Sequence, residues 1–207
     1  MTARQNHGIS FEEQIKKHLG ISINNSWDIS PSSNYYNNEG ISIKCLKKGN
    51  SIALADAKTQ YRIQNNFYFI IAFYEGCKNN KKTIWLKEIY VTTQKWRALW
   101  GDIKEQDILK LEDLINDKSK RKLSKQDQKD FSQYIKEKKE EILQNKNSIM
   151  TLNPKIGGYD PKRSYIQRRL QCSISYKRFL DFFGINDTQM ETAKIGGKNI
   201  NLKDIYL

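Results

Sequence analysis

The sequence predicts an α/β fold, a central mixed β-sheet flanked by helices, and three observations carry that expectation. Residues 10–19 repeat apolar side chains at helical spacing, with Phe11, Ile15 and Leu19 on one face. Residues 41–46 alternate as a half-buried strand does. Residues 67–74 are continuously apolar, aromatic and β-branched, as in a strand buried on both faces. Helix, acid-bearing strands, a helical turn and a buried strand, in that order, make a layered α/β protein.

The first helix has Ser10 as its N-cap with Glu13 three residues on, a capping box, and Gly20 closes it. Glu12 and Glu13 suit the positive end of the helix dipole. A carboxylate, Asp28, follows in Trp27-Asp28-Ile29, and then a loop rich in Ser, Asn, Tyr and Gly. In the strand over 41–46, Ser42 and Lys44 share one face while Ile41, Ile43 and Cys45 share the other. A second apolar run over 51–55 ends at Asp56, and the pattern turns helical from Ala57 to Arg62. An acid, a strand-borne lysine and a second acid thus lie within one hairpin-sized stretch. These are the materials of a divalent-metal hydrolase.

After the buried strand and a basic turn over 75–82, residues 83–91 form another strand. From Thr93 the pattern is helical. Trp96, Leu99 and Trp100 form one apolar face, a spacing that suits core rather than base-stacking aromatics, and Ile108, Leu111, Leu114 and Ile115 form another. Residues 118–146 are charge-dense, with a sparse apolar line of Leu123, Phe131, Ile135 and Ile142. The cluster Lys118, Lys120, Arg121, Lys122 and Lys125 is a candidate for phosphate contact, whereas 137–141 reads as a solvated helix face with pairs such as Lys136 and Glu140. Residues 152–163 read as a loop, with Pro154, Pro161 and the Gly157-Gly158 pair beside Lys155, Lys162 and Arg163. In the next strand, Leu170, Cys172 and Ile174 face one way and Arg169, Gln171 and Ser173 the other. Arg168, Arg169 and Gln171 are suited either to reading base edges or to holding phosphates. Ser175 then caps a helix that buries Phe179, Leu180 and Phe183 and ends at Gly184. The tail from Gly196 carries no clear pattern.

The chain's 207 residues are long enough for one well-buried domain. A formal charge of +13 favours a polyanionic partner, nucleic acid before an acidic membrane surface. The mean hydropathy of −0.77, the lack of a long apolar run and an N-terminus without an apolar core argue against a membrane span and a signal peptide. Cys45, Cys77 and Cys172 are odd in number and far apart, so neither a disulfide framework nor a cysteine zinc site is expected. The expected compartment is the cytoplasm.

The stretch from Asp28 to Lys58 resembles the PD-(D/E)xK nucleases, the superfamily that holds most type II restriction endonucleases. Their pattern is an Asp, a loop, and an acid-x-Lys tripeptide on the next strand. Asp28 matches the first acid and Ser42-Ile43-Lys44 the tripeptide, with Ser42 where an acid is expected. Some restriction enzymes of this kind have the same S-x-K and draw the missing carboxylate from the following helix, a position that Asp56 matches. A rival alignment makes Asp56-Ala57-Lys58 the tripeptide, with Glu39 or Asp28 upstream. The resemblance covers about the first ninety residues. It implies a restriction-endonuclease-like core over 1–92, with 93–207 a mainly helical extension that carries a helical/β DNA-recognition part.

The same resemblance implies Mg²⁺ held by Asp28, Asp56 and the Ile43 carbonyl, with Lys44 acting on the attacking water and Glu12 as a further acid on the preceding helix. DNA contacts are then expected from Lys155, Lys162, Arg163, Arg168, Arg169, Gln171 and Ser173. The implied protein is a homodimer that cuts double-stranded DNA at a short site, with a cognate DNA methyltransferase in the same system. A non-catalytic nucleic-acid-binding protein, in which Ser42 marks a decayed site, is the alternative. The sequence has no Walker A loop, so ATP-driven translocation within this chain is not expected.

Overall fold

A computed structural model of the chain describes residues 3–21, 39–77, 80–117, 124–160 and 165–207. It is mixed α/β, in the order α1 (Ala3–Leu19), β1 (Gly40–Lys47), β2 (Ile52–Asp56), α2 (Ala57–Tyr61), β3 (Phe67–Glu75), β4 (Lys82–Val91), α3 (Thr93–Trp100), α4 (Glu105–Ile115), α5 (Lys125–Leu143), β5 (Met150–Asp160), β6 (Tyr165–Ile174), α6 (Tyr176–Phe183), β7 (Thr192–Ile195) and β8 (Lys198–Asn201). The chain divides into two compact units. The first comprises residues 1–52, 64–96 and 176–207, and the second residues 53–63 and 97–175. No helix among the described residues is long and apolar enough to cross a membrane.

The first unit is built on a sheet of order β1-β3-β4, with β1 parallel and β4 antiparallel to β3. The unbroken apolar run of β3 is explained by cover on both faces: Phe67 and residues 69–74 are all buried. On one face Ile41, Ile43, Ile70, Ala72 and Leu86 pack with Phe11, Ile15 and Leu19 of α1. On the other, Phe73 stacks on Trp85 at 4.7 Å between ring centroids, and Phe69 meets Phe179 of α6 edge-on at 5.9 Å. Phe179 is buried as expected, while Leu180 and Phe183 are half-buried.

Two expectations change here. The first helix starts at Ala3, so Ser10 lies inside it rather than capping it. Nothing in residues 3–9 forbids a helix, and the Ser10 hydroxyl instead donates to the Tyr206 carbonyl at 3.2 Å. Gly20 does end the helix: its N–H donates to the Lys17 carbonyl at 3.0 Å, and that of Ile21 to Lys16 at 2.9 Å. The tail, patternless by sequence, forms the β7–β8 hairpin and a 3-10 turn over Leu202–Asp204. Ile195, Leu202 and Ile205 are buried in the α1-side core, and the Glu88 carboxylate accepts from the Gly196 N–H at 2.8 Å.

The second unit is a sheet of order β2-β6-β5 with α2, α4 and α5 packed on one face. Ile108, Leu111 and Ile115 of α4 and Phe131 and Ile135 of α5 are buried, as are Leu152, Leu170, Cys172 and Ile174 of the strands. Residues 152–163 do not form the loop expected of them as far as Asp160, because β5 runs through Pro154 and the Gly157-Gly158 pair. Its position explains why. β5 is an edge strand, where a missing donor is tolerated, and its pairing register with β6 shifts after Ile156, as at a β-bulge. Leu99 and Trp100 are buried in this unit and Trp96 in the first, so both α3 tryptophans and Leu99 serve as core.

Candidate nucleic-acid interface and acidic cluster

Strand alternation sorts the expected DNA-contact residues of β6 into two classes. Arg169, Gln171 and Ser173 project from the face opposite the buried Leu170, Cys172 and Ile174. Antiparallel pairing sets Lys155 beside Arg169, Asn153 beside Gln171 and Thr151 beside Ser173. These pairs are tied together. Asn153 Nδ2 donates to Ser173 Oγ at 2.8 Å. With the Gln171 amide oriented to satisfy its neighbours, its oxygen accepts from Arg169 Nε at 3.2 Å and Nη2 at 3.0 Å. On β2, at the other side of β6, the exposed residues are the small Ala53 and Ala55. Six polar side chains thus form three cross-strand rows that leave donors and acceptors pointing off the sheet.

Thr151 and Asn153 are missed by sequence because Pro154 and the glycines disguise β5 as a loop. The alternation Thr151, Asn153, Lys155 around the buried Leu152 is the signal that finds them. Arg168 belongs to the opposite face. Its guanidinium lies 5.2 Å from the Phe131 ring centroid and its Nη1 donates to the Asp117 carbonyl at 3.3 Å. It binds the segment after α4 and helix α5 to the strand. Lys162 and Arg163 lie outside the described residues, as does the cluster Lys118, Lys120, Arg121 and Lys122.

Asp28 also lies outside the described residues. Ser42 and Lys44 sit half-buried on β1, an edge strand of its sheet, on the face opposite Ile41 and Ile43. Lys44 Nζ donates to the Ile43 carbonyl at 2.9 Å, so the oxygen expected to ligate a metal already accepts an ammonium proton. Glu12 pairs with the buried ammonium of Lys16 at 2.5 Å, one helical turn on.

Asp56 closes β2 and caps α2: its Oδ1 accepts from Thr59 N at 2.8 Å and Thr59 Oγ1 at 2.9 Å. It stands in a charged cluster within the second unit. Burial first and the Asp56 carboxylate second hold the Glu112 carboxyl above the usual range, and Lys58 opposes them from 4.0 Å. Asp56 is also felt across the sheet, where burial first and its charge second push the Cys172 thiol up to about 12. Sequence reasoning misses Glu112, which stands on α4 as an ordinary polar position and comes under the influence of the Asp56 charge only through the packing of α4 beside α2. Of these three only the Asp56 and Glu112 carboxylates have oxygens that can ligate a hard cation; the Lys58 ammonium cannot ligate one and contributes charge alone. Among the described residues no group of three or more His, Cys, Asp or Glu side chains is placed to hold a metal.

No family model, curated protein or solved structure matches this chain.

Ala55, just before Asp56, has a left-handed backbone with φ of 74°. For a residue with a Cβ this conformation costs about 1 kcal/mol or more. Ala55→Gly is expected to stabilise the chain by roughly 1 kcal/mol, read from the urea midpoint. An unchanged or lower midpoint would show that the turn into Asp56 stores no strain.

Proposed function

We propose that this chain is a Mg²⁺-dependent deoxyribonuclease of the type II restriction kind. In this reading it is cytoplasmic and cuts double-stranded DNA at a short specific sequence as a homodimer, beside a cognate methyltransferase. The observation that carries it is the face of the second unit, where Arg169, Gln171, Ser173, Thr151, Asn153 and Lys155 stand in register. Arginine can grip guanine and asparagine or glutamine adenine in the major groove, and a β-ribbon fits that groove. The positive charge of +13 agrees with a phosphate-rich partner.

The catalytic part rests on the acids of the same unit. Asp56 and Glu112 would hold Mg²⁺, whose chemistry is to stabilise charge at the scissile phosphate and to make a bound water nucleophilic. Lys58 would offset negative charge as the phosphodiester is attacked. This reading takes Asp56-Ala57-Lys58 as the tripeptide in place of Ser42-Ile43-Lys44, because the Glu112 carboxyl feels the Asp56 charge and so offers a candidate second acid. The alternative of a non-catalytic nucleic-acid-binding protein is favoured by Ser42 in place of an acid and by the engagement of Glu12 with Lys16.

The test is incubation of the full chain with a sequenced plasmid in Mg²⁺ or in EDTA, with fragment ends mapped. Discrete fragments formed only with Mg²⁺ are expected. Retarded but uncut plasmid would replace the nuclease reading with the binding one, and neither cutting nor retardation would remove both.

A further inference from the structure

The second unit holds a cleft of about 500 Å³ lined by Ser132, Lys136 and Lys139 of α5 and by Pro154, Lys155, Ile156 and Gly157 of β5. Residues 132, 136 and 139 recur at helical spacing, so α5 turns one polar stripe toward the outer edge of β5. Lys139 Nζ reaches the Leu152 carbonyl at 3.4 Å. The lining residues include three lysines and, among the described residues, no Asp or Glu. By sequence Lys136 is only one member of a solvated helix pair, and no motif nominates Lys139.

We infer that this cleft is a phosphate-binding groove that holds the sugar–phosphate backbone of one nucleic-acid strand. An added peptide strand suits it poorly. Pro154 removes a backbone donor from the edge, Lys139 already approaches an edge carbonyl, and the lysines select an anion. Continuity with the polar face fixes the kind of anion. Lys155 lines the cleft and also pairs with Arg169 in the cross-strand rows. A duplex whose base edges meet Gln171 and Asn153 would run its backbone over Lys155 into the cleft, so phosphates there set the register of the bases. The inference rests on the nucleic-acid reading of the polar face and adds to it the element that positions the strand.

The test measures binding of the full chain to fluorescent DNA duplexes without divalent cation, across a salt series. Each lysine that neutralises a phosphate adds about 0.9 to the slope of log affinity against log salt. Lys136→Gln combined with Lys139→Gln is expected to shrink the slope by about 1.8 and to weaken binding alike for every duplex sequence. Lys136→Gln alone, at an exposed position, should remove about half of that without disturbing the fold. Lys138→Gln, on another face of α5 and outside the cleft, should change neither.

A wild-type slope retained by the double variant would overturn the groove while leaving the nucleic-acid reading intact. Equal losses from Lys138→Gln would do the same, since charge on α5 anywhere would then suffice. Displacement of the duplex by inorganic phosphate at matched ionic strength would make the cleft a small-anion site instead. No binding by the wild type would end the nucleic-acid reading and the groove together.

Discussion

On the proposed nuclease reading, Asp56→Asn is expected to abolish Mg²⁺-dependent plasmid cleavage, with a loss of at least about 10³-fold, and to retain retardation of the same DNA. The substitution separates chemistry from stability. Asparagine keeps the Oδ1 acceptor that caps α2 through Thr59, and is as good an N-cap as aspartate. What it removes is the charge that a cation needs. Glu112→Gln is expected to behave alike, and Lys58→Met to be far more damaging than Lys44→Met. Full activity in Lys58→Met with loss in Lys44→Met would return the site to the strand β1. A pH dependence arises from the raised Glu112 carboxyl. Because it takes up a proton at a higher pH than an ordinary glutamate, Mg²⁺ affinity should fall earlier on acidification than it would for an unperturbed carboxylate pair. Titration of Mg²⁺ against pH in wild type and Glu112→Gln reads this directly. Cutting that persists undiminished in Asp56→Asn would show that the second unit's acids take no part.

Gly101→Ala is expected to be strongly destabilising. Gly101 follows α3 with φ of 52°, and a Cβ built there meets the Asn147 carbonyl oxygen at 2.1 Å. That oxygen already accepts from the Asp102 N–H at 2.9 Å, while the Asn147 N–H donates to the Asp102 carboxylate at 2.9 Å. Two residues on, the Ile149 N–H donates to the Leu99 carbonyl at 3.1 Å. The junction therefore fastens the end of α3 to the start of β5 by backbone groups that cannot swing aside. Left-handed strain and overlap together should cost about 3 kcal/mol or more, a fall in Tm of roughly 6–12 °C. Gly49→Ala is the control: its φ is 85° but no atom lies within 4 Å of the added Cβ. It should lose only the strain, about 1 kcal/mol. Equal losses at both positions would show that the approach to Asn147 does not matter.

Wherever a segment's burial is decided by neighbours on both sides of a regular element, the residue pattern already shows it. The alternation of Arg169, Gln171 and Ser173 with Leu170, Cys172 and Ile174 is legible because a strand turns successive side chains to opposite faces. The buried run of β3 and the apolar stripe of α4 are legible for the same kind of reason. β5 is hidden because Pro154 and Gly157-Gly158 are loop residues by local preference, and an edge position with a bulge overrules that preference.

What the sequence by itself determined was the alternation of helices and strands, the faces of β1, β3 and β6, the turn from strand to helix at Asp56 and the excess of positive charge. Only the tertiary structure decided that the tail returns to bury Ile195, Leu202 and Ile205 in the first unit, that Glu112 answers Asp56, and that Lys136 and Lys139 share a cleft with Lys155. The physical reason is range. Periodicity and capping are settled within a turn or two of chain, whereas these meetings depend on which distant surfaces bury each other, and no local pattern records that choice.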